Sequence, residues 1–310
     1  MILTVTPSPA VDWTVHVPGF ALGDVNRAES TEREASGKGI NVATAVARHG
    51  YQAHAVFAGS GTGATYILDA LGRDRVGATV THGGPVRTNI TLVTDTEDTK
   101  INTANETLDA SAAAELLRVV EQLADEASVV VSAGSLPPGT ADDLHARIVE
   151  TTYRHGVRCA VDTSGAALAA AIEARPWLVK PNAAELAELL GAEPLTFGDV
   201  VDGANDLRRR GVGAVLVSLG AQGALLVDGG VPLWAHARPH AVRNAVGAGD
   251  ALLAGFVADP SDRVAALTRA VVWATSAVEH PTTLFTARPA AEVPVTLVAD
   301  PDRGQRLGAR

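Results

Sequence analysis

The strongest constraint on this chain is an alternation. Short runs of apolar, largely β-branched residues recur along it, and longer Ala- and Leu-rich amphipathic stretches lie between them. The runs at 2–5, 53–57, 128–131, 159–161 and 214–217 carry little polar interruption. A strand reads that way when both of its faces are covered, as happens when helices cross over a parallel sheet. Helical patterns fall near 41–49, 110–126, 141–155, 166–174, 183–190 and 199–210, and Gly50, Gly156 and Gly211 stand where a left-handed residue would end three of them. The expectation is an α/β fold about a mostly parallel sheet. Two stretches, 13–34 and 87–105, break the alternation: they are more polar and read as strands with no helix between them. The period of two at Thr88, Ile90 and Leu92 suggests antiparallel strands with one wet face. Such a small sheet would cover a site or pair with a second copy. The polar residues 300–310 are expected to fray.

At 310 residues the chain has room for two ordinary domains of about 150 residues, or for one α/β unit with a small appendage. Its 25 basic residues against 35 acidic ones give a net charge of −10, which argues against nucleic acid or an anionic membrane as the main partner. Any anionic ligand must be caught locally. Only three of the basic residues are lysines, Lys38, Lys100 and Lys180. The single cysteine, Cys159, can form no internal disulfide or zinc pattern, and its apolar neighbours make it a packing residue. No apolar run approaches about 18 residues and no basic stretch precedes the first one, so neither a membrane span nor a signal peptide is expected and the cytoplasm is the default location.

Four segments could carry chemistry. At 244–256 a loop with Gly247 and Gly249 runs into an apolar helix, which offers unblocked backbone N–H groups at the positive end of a helix dipole. Asp250 there is either a first-turn acid that complements the dipole or a base beside an anion cradle. Ser36-Gly37-Lys38-Gly39-Ile40-Asn41 also opens a helix; it lacks the spacing of a Walker A loop, and Lys38 and Asn41 could hold a polar or anionic ligand or simply flank a turn. Lys180-Pro181-Asn182-Ala183-Ala184-Glu185 leaves a strand and enters a helix. Its acid beside an asparagine could organise hydrated Mg²⁺ or only complement the dipole. Ser218-Leu219-Gly220-Ala221-Gln222-Gly223 is a hairpin turn or a backbone approach to a nucleotide. Gly59-Ser60-Gly61-Thr62-Gly63 fits a tight strand-to-helix turn better than a dinucleotide fingerprint, because its third position is displaced and no acid follows about 20 residues on.

In this order, and together with 6–12 (Thr-Pro-Ser-Pro-Ala-Val-Asp), 134–139 (Gly-Ser-Leu-Pro-Pro-Gly) and 162–165 (Asp-Thr-Ser-Gly), these segments resemble the ribokinase-like carbohydrate kinases of the phosphofructokinase-B branch over nearly the whole chain. The loop at 37–41 and the segment 177–182 look most like those of bacterial 1-phosphofructokinases, and Thr99-Lys100-Ile101-Asn102 resembles their lid strand. The resemblance implies a single three-layer α/β domain over 1–310 with a lid from about 13–34 and 87–105. It implies ATP-dependent phosphorylation of a phosphosugar hydroxyl, with fructose 1-phosphate first, tagatose 6-phosphate or fructose 6-phosphate next, and an unphosphorylated sugar or nucleoside, or a non-catalytic sensor, behind them. Asp250 would be the base, with Gly247, Ala248 and Gly249 lending N–H groups to the transferring phosphoryl. Asp12, Gly37, Lys38, Gly39, Asn41, Arg87 and Asn102 would bind the sugar phosphate, and Lys180, Asn182, Ser218, Gly220, Ala221 and Gly223 would bind ATP. Glu185 would lie at Mg²⁺. A homodimer through the lid is implied as well, with Arg27 reaching across it. The chain departs from the branch at Ser8, at Ala245 and in a shortened stretch after Phe256.

Overall fold

A computed structural model describes residues 1–104 and 106–308. In chain order the first strands are β1 (Ile2–Thr6), β2 (Ala10–His16), β3 (Ser30–Ser36), β4 (Ala53–Ser60), β5 (Gly77–Pro85), β6 (Arg87–Val93) and β7 (Asp98–Ile101). They are followed by β8 (Val129–Ala133), β9 (Arg158–Asp162), β10 (Leu178–Val179), β11 (Ala214–Ser218), β12 (Ala224–Val227), β13 (Leu233–His236) and β14 (Thr296–Ala299). The helices are α1 (Lys38–Arg48), α2 (Gly61–Arg73), α3 (Ala110–Ala124), α4 (Leu144–Arg154), α5 (Gly165–Glu173), α6 (Ala183–Leu190), α7 (Phe197–Arg209), α8 (Ala248–Ala258) and α9 (Arg263–Glu279). Ten strands form the central sheet in the order β14-β13-β12-β11-β10-β9-β8-β1-β4-β5. From β11 to β5 every pair is parallel, and β12, β13 and β14 add an antiparallel edge.

Each apolar run contributes to two cores because alternate side chains leave opposite faces of the pleat. Ile2, Val129 and Val131 pack with Val42, Ile67, Leu252 and Leu267, from α1, α2, α8 and α9. Leu3, Val5 and Val130 pack with Leu116, Ile148, Leu168, Phe197 and Leu207, from α3, α4, α5 and α7. The result is the expected α/β/α sandwich. Gly50, Gly156 and Gly211 all take positive φ, at 86°, 68° and 110°. Cys159 is buried in β9, where burial pushes its thiol up to about 12. Among the described residues no helix is long and apolar enough to cross a membrane.

The second sheet, of order β3-β2-β6-β7, is the lid. Its outer pairs are antiparallel as expected, but its central pair, β2 with β6, is parallel from Ala10↔Arg87 to His16↔Val93. The reason is connectivity. β2 continues β1 through three residues and β6 continues β5 through one, and β1 and β5 run the same way in the central sheet. Residue 105, the expected end of the lid, lies outside the described residues. The cleft-side face carries Asp12, Glu34 and Asn89, and the opposite face carries Trp13, Val15, Ile90, Leu92 and Ile101. The Arg33 guanidinium lies 4.3 Å over the Trp13 ring on that outer face.

The expected fraying of 300–310 does not occur in the described part. Gly198 and Phe197 donate backbone N–H groups to Arg303 and Gln305 at 2.9 Å, and Leu307 donates to Leu195 at 3.0 Å. Phe197 and Gly198 open α7, whose first N–H groups have no partner inside the helix, and the C-terminal segment supplies the carbonyls. Residues 309 and 310 lie outside the described residues.

Candidate active site

The chain order reverses on either side of β1: β4 and β5 lie one way, and β8 through β11 lie the other. In an open parallel sheet such a reversal splays the loops at the carboxyl ends of the strands and leaves a crevice there. The motif residues arrive at that crevice from separate elements. Asp162 is the last residue of β9, Lys180 follows β10, Lys38 opens α1 and Asp250 sits in the first turn of α8.

Asp162 is buried and organises two of the three lysines. Its Oδ1 lies 2.8 Å from Lys38 Nζ, and its Oδ2 lies 3.0 Å from Lys180 Nζ. Burial would raise this carboxyl, but Lys180 and Lys38 together outweigh it and hold it below the ordinary range. Asp250 is in the opposite condition. Burial first, and the Asp162 charge second, push it up to about 6, and its hydrogen bond from Asn41 only partly opposes that. The two buried aspartates are therefore shifted in opposite directions by their surroundings, Asp162 down and Asp250 up. Asn41 Nδ2 donates to Asp250 Oδ2 at 2.7 Å, which orients the carboxylate, and Asn41 Oδ1 is buried without a partner.

Behind this cluster, buried His145 bonds Ser132 Oγ through Nδ1 at 2.7 Å and the Gly134 carbonyl through Nε2 at 3.1 Å. Burial lowers it to about 4, so it is neutral and structural. Thr163 Oγ1 donates to the same carbonyl at 2.9 Å, and Gly134 N–H donates to the Asp162 carbonyl at 2.9 Å. These bonds set the level at which Asp162 leaves the sheet.

At the start of α8, Gly247 is the N-cap with φ 81°. A Cβ on Gly249 would lie 3.4 Å from Lys180 Nζ, an ordinary van der Waals contact, so the loop passes close to the lysine. The Ala248 N–H leans on the Ala245 carbonyl at 3.5 Å, while Ala251 N–H already bonds the Gly247 carbonyl at 2.8 Å. The N–H groups between them, of Gly249 and Asp250, have no carbonyl partner within the helix, and such first-turn donors can receive an anion. Gly37 and Gly39, expected at the sugar, are also demanded by packing. A Cβ on Gly39 would overlap Thr6 Oγ1, and Gly37 has φ 127° with Thr6 and Pro9 close by. α1 can seat on β1 only without those side chains.

Under the lid, Asp12 accepts from Asn89 Nδ2 at 2.9 Å. A cleft of about 530 Å³ runs from this pair past Lys100 and Asn102 to Arg243 and Thr282. Arg87 begins β6 beside a small cavity lined by Ser8, Gly84 and Glu106. Its Nε is buried with no hydrogen-bond partner. Burial lowers its affinity for the proton, and Asp12 opposes that only partly.

On the other side, Asn182 is an N-cap whose Oδ1 accepts from Ala184 and Glu185 N–H, and Glu185 Oε2 accepts from Asn182 N–H at 2.8 Å, a complete capping box. Ser218 bridges Asn182 at the end of β11, and residues 220–222 form the turn into β12, so this segment is a hairpin turn that also faces the crevice. Gly223, expected at a nucleotide, is required by packing, because a Cβ there would overlap the Ala235 carbonyl. Asn89 and the pairing role of Asp162 escaped the sequence reading. The signal available for Asn89 was its place in the lid strand, two residues from Arg87, and for Asp162 a charged residue ending a fully apolar run.

The profile described as "pfkB family carbohydrate kinase" matches residues 8–288. The chain belongs to the pfkB family. A 1-phosphofructokinase of Rhodobacter capsulatus is 38% identical over 264 residues, 83% of this chain and 82% of that one. A 1-phosphofructokinase of Bacillus subtilis (strain 168) is 35% identical over 266 residues, 85% and 87% of the two chains. Among solved structures, phosphofructokinase-2 from Escherichia coli in complex with fructose-6-phosphate superposes with a TM-score of 0.83 at 28% identity, covering 89% of this chain and 93% of that one. This pfkB kinase is therefore a phosphotransferase acting on a sugar.

Proposed function

We propose that this kinase transfers the γ-phosphoryl group of ATP to the free primary hydroxyl of fructose 1-phosphate, giving fructose 1,6-bisphosphate and ADP. The observation that carries the phosphosugar reading is Arg87, a guanidinium beside a small cavity whose buried Nε lacks a partner and whose charge the nearby Asp12 only partly supports. A phosphate supplies the two acceptors and the charge that such a group needs, and an uncharged sugar does not. Likeness to two 1-phosphofructokinases at 35–38% identity favours fructose 1-phosphate over fructose 6-phosphate.

In this reading Asp12 and Asn89 hold sugar hydroxyls, and the orphaned Asn41 Oδ1 accepts from another. Asp250 takes the hydroxyl proton as the new O–P bond forms and the bond to the ADP oxygen breaks. Positioning and charge neutralisation dominate a loose phosphoryl-transfer transition state, so a carboxylate of moderate basicity suffices. The Gly249 and Asp250 N–H groups and the Lys38 and Lys180 ammoniums face the charge on the transferring group. Ser218, Gly220 and Ala221 line the nucleotide. Glu185 fits Mg²⁺ carried largely by phosphate and water, since the capping box uses one of its carboxylate oxygens and leaves Oε1. Bound there, Mg²⁺ would neutralise phosphate charge.

ATP turnover with fructose 1-phosphate, fructose 6-phosphate, tagatose 6-phosphate, ribose and adenosine tests the substrate. We expect kcat/KM for fructose 1-phosphate to exceed each other phosphosugar by about tenfold or more, with ribose and adenosine inert. A preference for another phosphosugar, or turnover of ribose alone, would overturn it.

We further infer a homodimer through the lid. Trp13, Val15, Ile90, Leu92 and Ile101 form an apolar outer face, and exposed Phe20, Leu22 and Val25 extend it in the β2–β3 loop. Light scattering at assay concentration should give twice the 31.8 kDa chain mass, and a monomer would remove the inference.

A further inference from the structure

The lid and the anion cradle belong to different parts of the chain, yet a single side chain joins them. Glu34 on β3 lies directly opposite Asp12 in the lid register, on the face that looks into the cleft. Its carboxylate reaches out of the lid and accepts the backbone N–H groups of Thr283 at 3.3 Å and Leu284 at 3.4 Å. The segment it holds touches the cradle in two places. The methyl of Thr283 fills the space where a Cβ on Gly247 would be, and Asn244 Nδ2 donates to the Pro281 carbonyl at 3.3 Å while Asn244 Oδ1 accepts from Val246 N–H at 2.9 Å. The path from lid to cradle is thus Glu34, then 281–284, then 244–247, with each step a named contact.

We propose that Glu34 is a positioning residue for phosphoryl transfer: it ties 281–284 to the lid, so that a lid seated over the sugar holds the Gly247 loop in the conformation that receives the transferring group. The proposal rests on the assignment of that loop as the phosphoryl cradle. Glu34 is two-fold suited to the role. A carboxylate has two acceptors for two adjacent N–H groups, and its position beside Asp12 puts it at the sugar end of the lid. It touches neither the Asp250 carboxylate nor the lysine pair, so its effect must pass through the backbone it holds. Misplacing a positioned group by a fraction of an ångström is enough to reduce a transfer rate without weakening ground-state binding. The bonds also connect elements that local sequence cannot join, since Glu34 and Thr283 are 249 residues apart.

The test compares Glu34→Ala and Glu34→Gln with the wild-type kinase in steady-state kinetics and in backbone hydrogen exchange. Glu34→Ala should lower kcat about tenfold with the sugar KM within about threefold. Exchange at 244–250 and 281–286 should speed up in that variant while 129–133, in the core of the sheet, stays protected. Glu34→Gln keeps one acceptor and should recover most of both losses. A Glu34→Ala enzyme with kcat within about twofold of wild type, or with unchanged exchange at 281–286, overturns the proposal, as does a loss confined to KM. A Glu34→Gln enzyme no better than Glu34→Ala overturns it too. The exchange measurement needs no turnover. A mistaken base or substrate assignment would therefore appear in the kinetics of the Asp250 variant or the substrate series and leave the exchange result standing.

Discussion

Replacing Asp250 by asparagine should lower kcat by about 10³-fold, roughly 4 kcal/mol of barrier, with the KM for sugar and ATP changed little. The substitution keeps the shape of the side chain and a bond to Asn41, and removes the negative charge together with the ability to accept a proton. The wild-type pH dependence should carry the same signature. The Asp250 carboxyl is pushed up to about 6 by burial and by the Asp162 charge, and only its ionised form can act as base. Below about pH 6, kcat/KM should therefore fall about tenfold per pH unit in the wild-type kinase. The residual rate of Asp250→Asn should be flat through that range. Asp162, held low by its lysines, stays ionised throughout and adds no second step there. A variant with an unchanged rate, or one that keeps the wild-type inflection, would show that another group takes the proton.

Arg87→Ala should cost roughly 10²-fold in kcat/KM for fructose 1-phosphate, in the range of 2–5 kcal/mol expected when one partner of a desolvated charge pair is removed. With fructose itself, which lacks the phosphate, the loss should be within about threefold. The comparison matters because Arg87 also begins β6 and lies over a small packed cavity. A structural role would lower both rates alike, and only a phosphate contact separates them.

Much of the site was readable as separate pieces. The loop at 244–250 announces an anion cradle because two glycines precede an apolar helix, and this depends only on neighbouring residues. The capping box of Asn182 and Glu185 is equally local. What could not be read was which pieces meet. Asn41 stands in a segment that looked like a sugar loop, and the fold carries it 209 residues along the chain to the Asp250 carboxylate. The motif resemblance sets Lys38 and Lys180 at different ligands, yet they converge on one buried aspartate. Gly39 and Gly223 suggested ligands close to the backbone, yet their nearest constraints are Thr6 and the Ala235 carbonyl.

The chain by itself therefore determined its layers and its loops. Periods of two and 3.6 and the glycines that end helices act within a turn or a strand, so they survive in a one-dimensional reading. Tertiary structure alone decided that β2 and β6 run parallel, that the strand order reverses at β1, and that Asp162 and Asp250 share one desolvated crevice. Those outcomes depend on burial and on charges brought together through space. Only the packed sheet sets the distances at which such charges act.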